Sequence, residues 1–250
     1  MVQRVGMIVP SSNVTMEHEV PAYLRGIMSS HSQLTFHSTR ARMINVTPEE
    51  LQRMNADSER CACELADAGV NVLAHACLVA TMTMGLGAHK AMEQRLVAAM
   101  AKEGLTAPAI SSAGALVRTL KRLRAKRIAF VAPYLPALTK VVSNYFSSEG
   151  FEVVNYISLG VQNNLAVANL NQTELTDHVL KLEMDGVDTV IASACVQMPS
   201  ISAMKNLNLK MKTPILSASL CTALEIAAAL DVPSVGHSTE ELITQMIELS

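Results

Sequence analysis

Gly186-Val187-Asp188-Thr189-Val190-Ile191-Ala192-Ser193-Ala194-Cys195-Val196 reads as a buried strand that empties into a cysteine. A second stretch of the chain has the same shape: Gly69-Val70-Asn71-Val72-Leu73-Ala74-His75-Ala76-Cys77-Leu78-Val79. Two further pairs of segments recur in the same order. Arg4-Val5-Gly6-Met7-Ile8-Val9-Pro10 matches Arg127-Ile128-Ala129-Phe130-Val131-Ala132-Pro133, and Ala107-Pro108-Ala109-Ile110-Ser111-Ser112 matches Thr213-Pro214-Ile215-Leu216-Ser217-Ala218. Three landmarks in one order mark a duplicated subdomain, because solenoid repeats are only about 20–50 residues long.

The segments between the landmarks supply the helices. Thr47-Pro48-Glu49-Glu50 is an N-cap, a proline at the first helical position and then acidic residues. That helix runs to about residue 68 and stops at Gly69. Helical patterns also cover about 15–28, 88–102, 139–148 and 171–186, and strands are expected at 34–44, 151–157 and 187–192. Strands alternating with helices imply an α/β protein with parallel sheets. The expected architecture is two αβ subdomains related by a pseudo-twofold axis, each a parallel sheet flanked by helices. Ligands of such sheets bind beyond the strand ends, which puts the active site in the cleft between the two.

Composition narrows the function. Half of the 250 residues are hydrophobic, 17% are charged and the net charge is −2. This balance argues against nucleic acid and membrane surfaces as partners. The basic run Lys121, Arg122, Arg124, Lys126, Arg127 sits at a helix end, where cations suit the helix dipole. There is no Trp, and the 15 Met residues are read as core fillers. No apolar run is long enough to span a bilayer, and the first strand begins almost at once, so a cytoplasmic protein with reduced thiols is expected.

Five cysteines are present. Cys61 and Cys63 fall inside one helix, two residues apart, where they do not face each other. No matching Cys or His pair follows to complete a metal site, and Cys221 reads as core. Cys77 and Cys195 differ because each ends a strand and precedes residues able to open a helix, where backbone N–H groups favour negative charge. A thiol of pKa about 8.5 is only slightly ionised at neutral pH, and such donors are expected to raise the thiolate fraction. A matched pair at equivalent places points to chemistry on one small substrate. His75 is expected to turn away from Cys77 by strand alternation. His18, His31, His37, His89, His178 and His237 show no recurring spacing. No dinucleotide fingerprint or P-loop is present, so no cofactor and no metal are expected.

At these residues the chain resembles the aspartate/glutamate racemase superfamily and, within it, the maleate cis–trans isomerases. The resemblance rests on Val9-Pro10-Ser11-Ser12-Asn13 with Thr15-Met16-Glu17, on Ala76-Cys77-Leu78-Val79-Ala80 with Met84-Gly85-Leu86-Gly87, on Pro133-Tyr134 with Leu138-Thr139, and on Ser193-Ala194-Cys195-Val196-Gln197-Met198-Pro199-Ser200. The chain departs from the pattern at Val14, His18, His75 and Asn163. The resemblance implies conversion of maleate to fumarate without a cofactor, through a succinyl adduct on Cys77, with Cys195 as its proton donor. It implies that Asn13, Tyr134, Asn164 and the backbone N–H groups of Leu78, Val79, Val196 and Gln197 hold the carboxylates of a small dicarboxylate. It also implies a homodimer, and a crossover of the last helices that gives units 1–112 plus 220–250 and 113–219.

Other functions fit less well. A racemase of amino acids or hydantoins also uses two thiols flanking a carbon acid. Leu78, Val79 and Met198 offer no acidic partner for a substrate ammonium, which favours a dicarboxylate. A decarboxylase needs only one catalytic cysteine. A two-lobed binding protein of periplasmic type needs an export signal.

Overall fold

The computed structural model describes residues 2–27, 33–231 and 239–250; Met28, His31 and His237 lie outside them. The first half contains β1 (Val2–Pro10), α1 (Met16–Arg25), β2 (Gln33–Ala41), α2 (Pro48–Asp67), β3 (Val72–His75), α3 (Leu78–Met82), α4 (Ala88–Lys102) and β4 (Ala109–Ser111), followed by α5 (Ser112–Arg122). The second contains β5 (Arg127–Ala132), α6 (Pro136–Ser148), β6 (Glu152–Ser158), α7 (Asn164–Ala168), α8 (Gln172–Leu180), β7 (Thr189–Ser193), α9 (Ile201–Lys210) and β8 (Ile215–Ser217). The chain continues through α10 (Ala218–Ala229) and α11 (Thr239–Leu249).

The duplication read from the sequence is visible in the strand order. One sheet runs β2-β1-β3-β4 and the other β6-β5-β7-β8, all parallel. In each sheet the strand holding the Arg4–Pro10 or Arg127–Pro133 segment lies centrally, beside the strand that leads to a cysteine; β1 begins earlier, at Val2. Both cysteine strands are fully buried, which explains their continuous apolar runs. Ala76 N–H donates to Ile8 O (2.8 Å) and Ala194 N–H to Val131 O (2.9 Å), so each pairing reaches the residue before the cysteine.

Local chemistry sets the helix starts. Thr47 accepts from Glu50 N–H, with Pro48 at the first helical position. Ser111 and Ser217 cap α5 and α10 in the same way, accepting from Gly114 and Leu220 N–H. Two expected boundaries are corrected. α6 starts at Pro136 rather than 139, because proline is suited to the first turn. The helix expected over 171–186 ends at Leu180; the polar segment through Gly186 forms turns.

α5 and α10 lie against each other and share buried charge. Glu225 pairs with both Arg118 and Arg122, and Arg118 also meets Glu93 at 3.0 Å. α10 packs on α1, β3 and β4, and α5 keeps contact with α3 and α4. The basic stretch at the end of α5 is therefore largely ion-paired: Lys121 holds Glu149 at 2.8 Å and Arg127 holds Glu152 at 3.0 Å. No helix among the described residues is long and apolar enough to cross a membrane.

Candidate active site

Cys77 and Cys195 sit at the carboxyl ends of β3 and β7 and are 4% and 5% exposed. The two loops are less alike than their sequences. Cys77 is the N-cap of α3, with extended backbone (φ −147°, ψ 96°). Leu78 and Val79 open that helix, and N–H groups of a first turn have no partner within it. After Cys195 no helix opens directly. Val196–Ser200 form a compact loop before α9, shaped by the Ser193 hydroxyl, which donates to Cys195 O (2.9 Å) and Met198 O (3.2 Å). Gln197 N–H donates to Cys195 Sγ at 3.4 Å.

The expectation that backbone donors make these thiols acidic is overturned in the closed site. Burial raises the Cys77 thiol to about 12, the Ala80 N–H opposes this and Cys195 adds to it. Burial raises Cys195 too, against the Tyr134 hydroxyl and the N–H groups of Gln197 and Met198. Desolvation exceeds the N–H donors because both thiols are sealed from water.

The polar side chains named from the sequence are each bonded to a protein partner around the second cysteine loop and the turn opposite it. Tyr134 is buried and donates to Ala194 O at 3.1 Å; burial and the two thiols raise its hydroxyl well above the usual tyrosine range. Asn13 works at both ends. Its Oδ1 accepts from Thr15 and Met16 N–H (3.1 and 3.0 Å), while Nδ2 reaches across to Val196 O (3.3 Å). Asn164 Nδ2 donates to Ser12 Oγ at 2.9 Å.

Gln197 does more than its backbone suggests. Its Nε2 donates to Ser12 O (2.8 Å) and Asn164 O (2.9 Å), its Oε1 accepts from Val14 N–H (3.0 Å), and Thr15 Oγ1 donates to its carbonyl (2.7 Å). A glutamine in a turn carries no pattern that announces such a latch. The loop after β2 closes the cleft further. Val46 N–H donates to Gln162 O (2.9 Å), Asn164 N–H to Ile44 O (3.0 Å), and Asn45 bridges Asn163.

The remaining candidates lie outside the pair. His75 turns away from Cys77 as alternation requires, bonding Ser58 Oγ (3.1 Å) and Thr81 Oγ1 (3.3 Å). Burial lowers it to about 4, so it is neutral. Cys61 and Cys221 are buried and Cys63 is half-buried, all as free thiols. Among the described residues no group of three or more His, Cys, Asp or Glu side chains is placed to hold a metal.

Residues 5–243 match the family model described as arylmalonate decarboxylase. The maleate isomerase of Pseudomonas putida is 48% identical over 230 residues, 92% of each chain. The chain belongs to the maleate isomerase family. It is therefore an enzyme of the isomerase class. A cysteine-to-alanine variant of maleate isomerase from Pseudomonas putida S16, crystallised with maleate, superposes on this family member with a TM-score of 0.93 at 43% identity, covering 98% of both chains. The Nocardia farcinica maleate cis–trans isomerase gives a TM-score of 0.92 at 38% identity, covering 98% of this chain and 99% of its own. That structure is a cysteine-to-serine mutant with a covalently bound succinylcysteine intermediate.

Proposed function

We propose that this enzyme converts maleate to fumarate without a cofactor, through a succinyl adduct on Cys77. The observation that carries the reading is the pair of buried cysteines close enough to act on one another and on Tyr134, in a member of this family. The succinylcysteine trapped in the Nocardia farcinica mutant supports a covalent route.

Rotation about a carbon–carbon double bond needs that bond to be saturated for a time. The Cys77 thiolate adds to C2 of maleate, and the π electrons move towards C3 and its carboxylate as an enediolate. The Cys195 thiol delivers its proton to C3. Rotation about the new C2–C3 single bond brings the carboxylates anti. The Cys195 thiolate then takes a proton back from C3, the C2–S bond breaks, and fumarate leaves with Cys77 again a thiolate.

Maleate is a dianion, so a thiolate beside it is disfavoured unless donors offset the charge. Asn13, Tyr134, Asn164 and the N–H groups of Leu78, Val79, Val196 and Gln197 are assigned to hold the carboxylates, the three side chains exchanging their bonds to Val196 O, Ala194 O and Ser12 Oγ. Donors aimed at an enediolate stabilise it most where charge develops. Both thiols must stay reduced, which fits the cytoplasm. A homodimer is proposed, with each chain divided into units 1–112 plus 220–250 and 113–219; the packing of α10 on α1, β3 and β4 supports the return of the last helices to the first unit, while α5 stays in contact with α3, α4 and β4.

Proton NMR of the purified protein with maleate, and no added cofactor, tests the reading. Catalytic growth of the fumarate singlet is expected. Folded, reduced protein that leaves maleate unchanged overturns it. In the Cys195→Ser protein, a mass increase equal to the addition of maleate is expected on the Cys77 peptide.

A further inference from the structure

Cys77 stands at the head of α3, a helix of only five residues. So short a helix does not hold itself. Its first bond, from Thr81 N–H to Cys77 O, is 3.4 Å long. The setting of the cysteine turn therefore comes from its neighbours. α3 packs on α4, α5 and α6. Towards α2 a cavity of about 580 Å³ opens at the end of α3, lined by Gln52, Asn55, Thr83, Met84 and Arg95.

One side chain of α2 bridges this side. Asn55 Nδ2 donates to Ala80 O at 2.7 Å, and Ala80 is the third residue after Cys77. Asn55 is 6% exposed, and its Oδ1 has no hydrogen-bond partner among the described residues. A buried amide with an unpaired oxygen costs free energy that an apolar side chain would not. Ala80 O has a second donor, Thr83 Oγ1 at 2.9 Å, at the C-cap of α3 itself. That bond closes the turn on itself and ties it to no other element. The carbonyl is satisfied with or without Asn55; what Asn55 adds is attachment to α2. A second line from α2 runs beside it, from Ser58 Oγ to His75 Nε2 (3.1 Å) and from His75 Nδ1 to Thr81 Oγ1 (3.3 Å).

The other half has no counterpart. α8 precedes the strand leading to Cys195, as α2 precedes the strand leading to Cys77. Seven residues after the first residue of α2 comes Asn55, and seven after the first residue of α8 comes Val179. Met198, third after Cys195, has its carbonyl held by Ser193, within its own loop. Only the first cysteine turn is fastened to the helix behind it.

We infer that Asn55 is a positioning residue for Cys77: by fastening Ala80 to α2 it fixes the turn that aims the thiol and the N–H groups of Leu78 and Val79. Carbon–sulfur bond formation is directional, and a misplacement of 1 Å costs about 100-fold in rate. Burial raises the Cys77 thiol, and the Ala80 N–H, on the same turn, opposes it. A turn held in place keeps that donor on the sulfur.

The inference rests on the proposed attack of Cys77 on maleate. Asn55→Leu and Thr83→Val are compared with the native chain. Each removes one donor from Ala80 O, but only the first severs Ala80 from α2. Asn55→Leu also removes the unpaired oxygen, so its urea midpoint is expected to stay close to the native one. The line through Ser58 and His75 remains, so the displacement is partial. In Asn55→Leu kcat for maleate is expected to fall roughly tenfold. KM is expected to rise by less, since Asn13, Tyr134, Asn164, Val196 and Gln197 lie off α3. Thr83→Val is expected to keep the native kcat. An unchanged kcat in Asn55→Leu, or an equal fall in Thr83→Val, overturns the inference. If Asn55→Leu fails to fold, Asn55→Ala, which only enlarges the existing cavity, takes its place with the same expectations. Hydrogen exchange by mass spectrometry needs no substrate. The amides of Leu78–Met82 are expected to exchange roughly fivefold faster in Asn55→Leu, and those of the loop after Cys195 at the native rate. Unchanged exchange in α3, or equal acceleration in both loops, overturns the inference. A native chain that leaves maleate unchanged overturns the substrate alone, and hydrogen exchange then decides the tether.

Discussion

At the site, two side chains make opposite demands on the surrounding structure. Tyr134 is buried beside both thiols and its hydroxyl donates to Ala194 O, so a phenylalanine fits the space but leaves that carbonyl and, in the proposed reaction, a substrate carboxylate without a donor. Tyr134→Phe is expected to lower kcat/KM for maleate by roughly 10–100-fold with little change in fold, read by NMR turnover and circular dichroism. His75 works on stability instead. Its folded pKa of about 4 lies below the ordinary histidine value, because burial disfavours the charged ring. As pH falls the unfolded chain takes the proton first, so the stability present above about 6.5 is lost progressively down to about 4. That loss is about 3 kcal/mol from this one ring. Urea unfolding at pH 7 and pH 4 should show it in the native chain, and a His75→Phe chain should lose less over the same interval.

Among the elements, α5 and α10 offer an internal comparison. Both begin on a serine that ends a strand and caps the helix, but Ser111 also donates to Glu93 Oε1 at 2.8 Å, while Ser217 lies near Ser219 Oγ at 3.2 Å. Losing a cap costs about 1 kcal/mol. Ser111→Ala should cost more than Ser217→Ala, because it also strips a donor from a half-buried carboxylate; paired urea titrations measure the difference. These caps illustrate what the sequence makes legible. Thr47-Pro48, the strand-ending prolines and the glycines after helices are local signals, and they place the strands and most helix starts. The turns through 181–186 are fixed by Arg127, which donates to Gly186 O at 2.9 Å, and the bend after Cys195 by Ser193 and by the turn of the other half that carries Asn13, so periodicity over-extends the first and makes Cys195 look like Cys77. Cys77, Cys195, Asn13, Tyr134 and Asn164 are recognisable by duplication and motif. Asn55 acts on a neighbouring helix and the side chain of Gln197 across the cleft, and nothing in their own neighbourhoods marks them.

Across the molecule, the two halves are joined by hydrogen bonds over the cleft as well as by the α5–α10 packing. Gln197 is the centre of that junction: its amide satisfies Ser12 O, Asn164 O and Val14 N–H together. Gln197 and Asn164 are buried and Ser12 and Val14 are not, so truncation leaves Asn164 O without water to replace the lost donor. A buried polar group stripped of its partner costs about 1–3 kcal/mol, and less where water can enter. Gln197→Ala should therefore lower stability by about 2–3 kcal/mol in urea unfolding. The same change removes two of the four hydrogen bonds between the loop carrying Cys195 and the turn carrying Asn13, so in the proposed reaction a substrate held there loses part of its fixed geometry. A 1 Å misplacement of reacting groups can cost about 100-fold in rate. Maleate turnover should then fall by a larger factor than the stability loss explains, measured at a temperature where the variant is fully folded. Turnover that survives while stability falls would show that the latch joins the halves without aligning the two thiols.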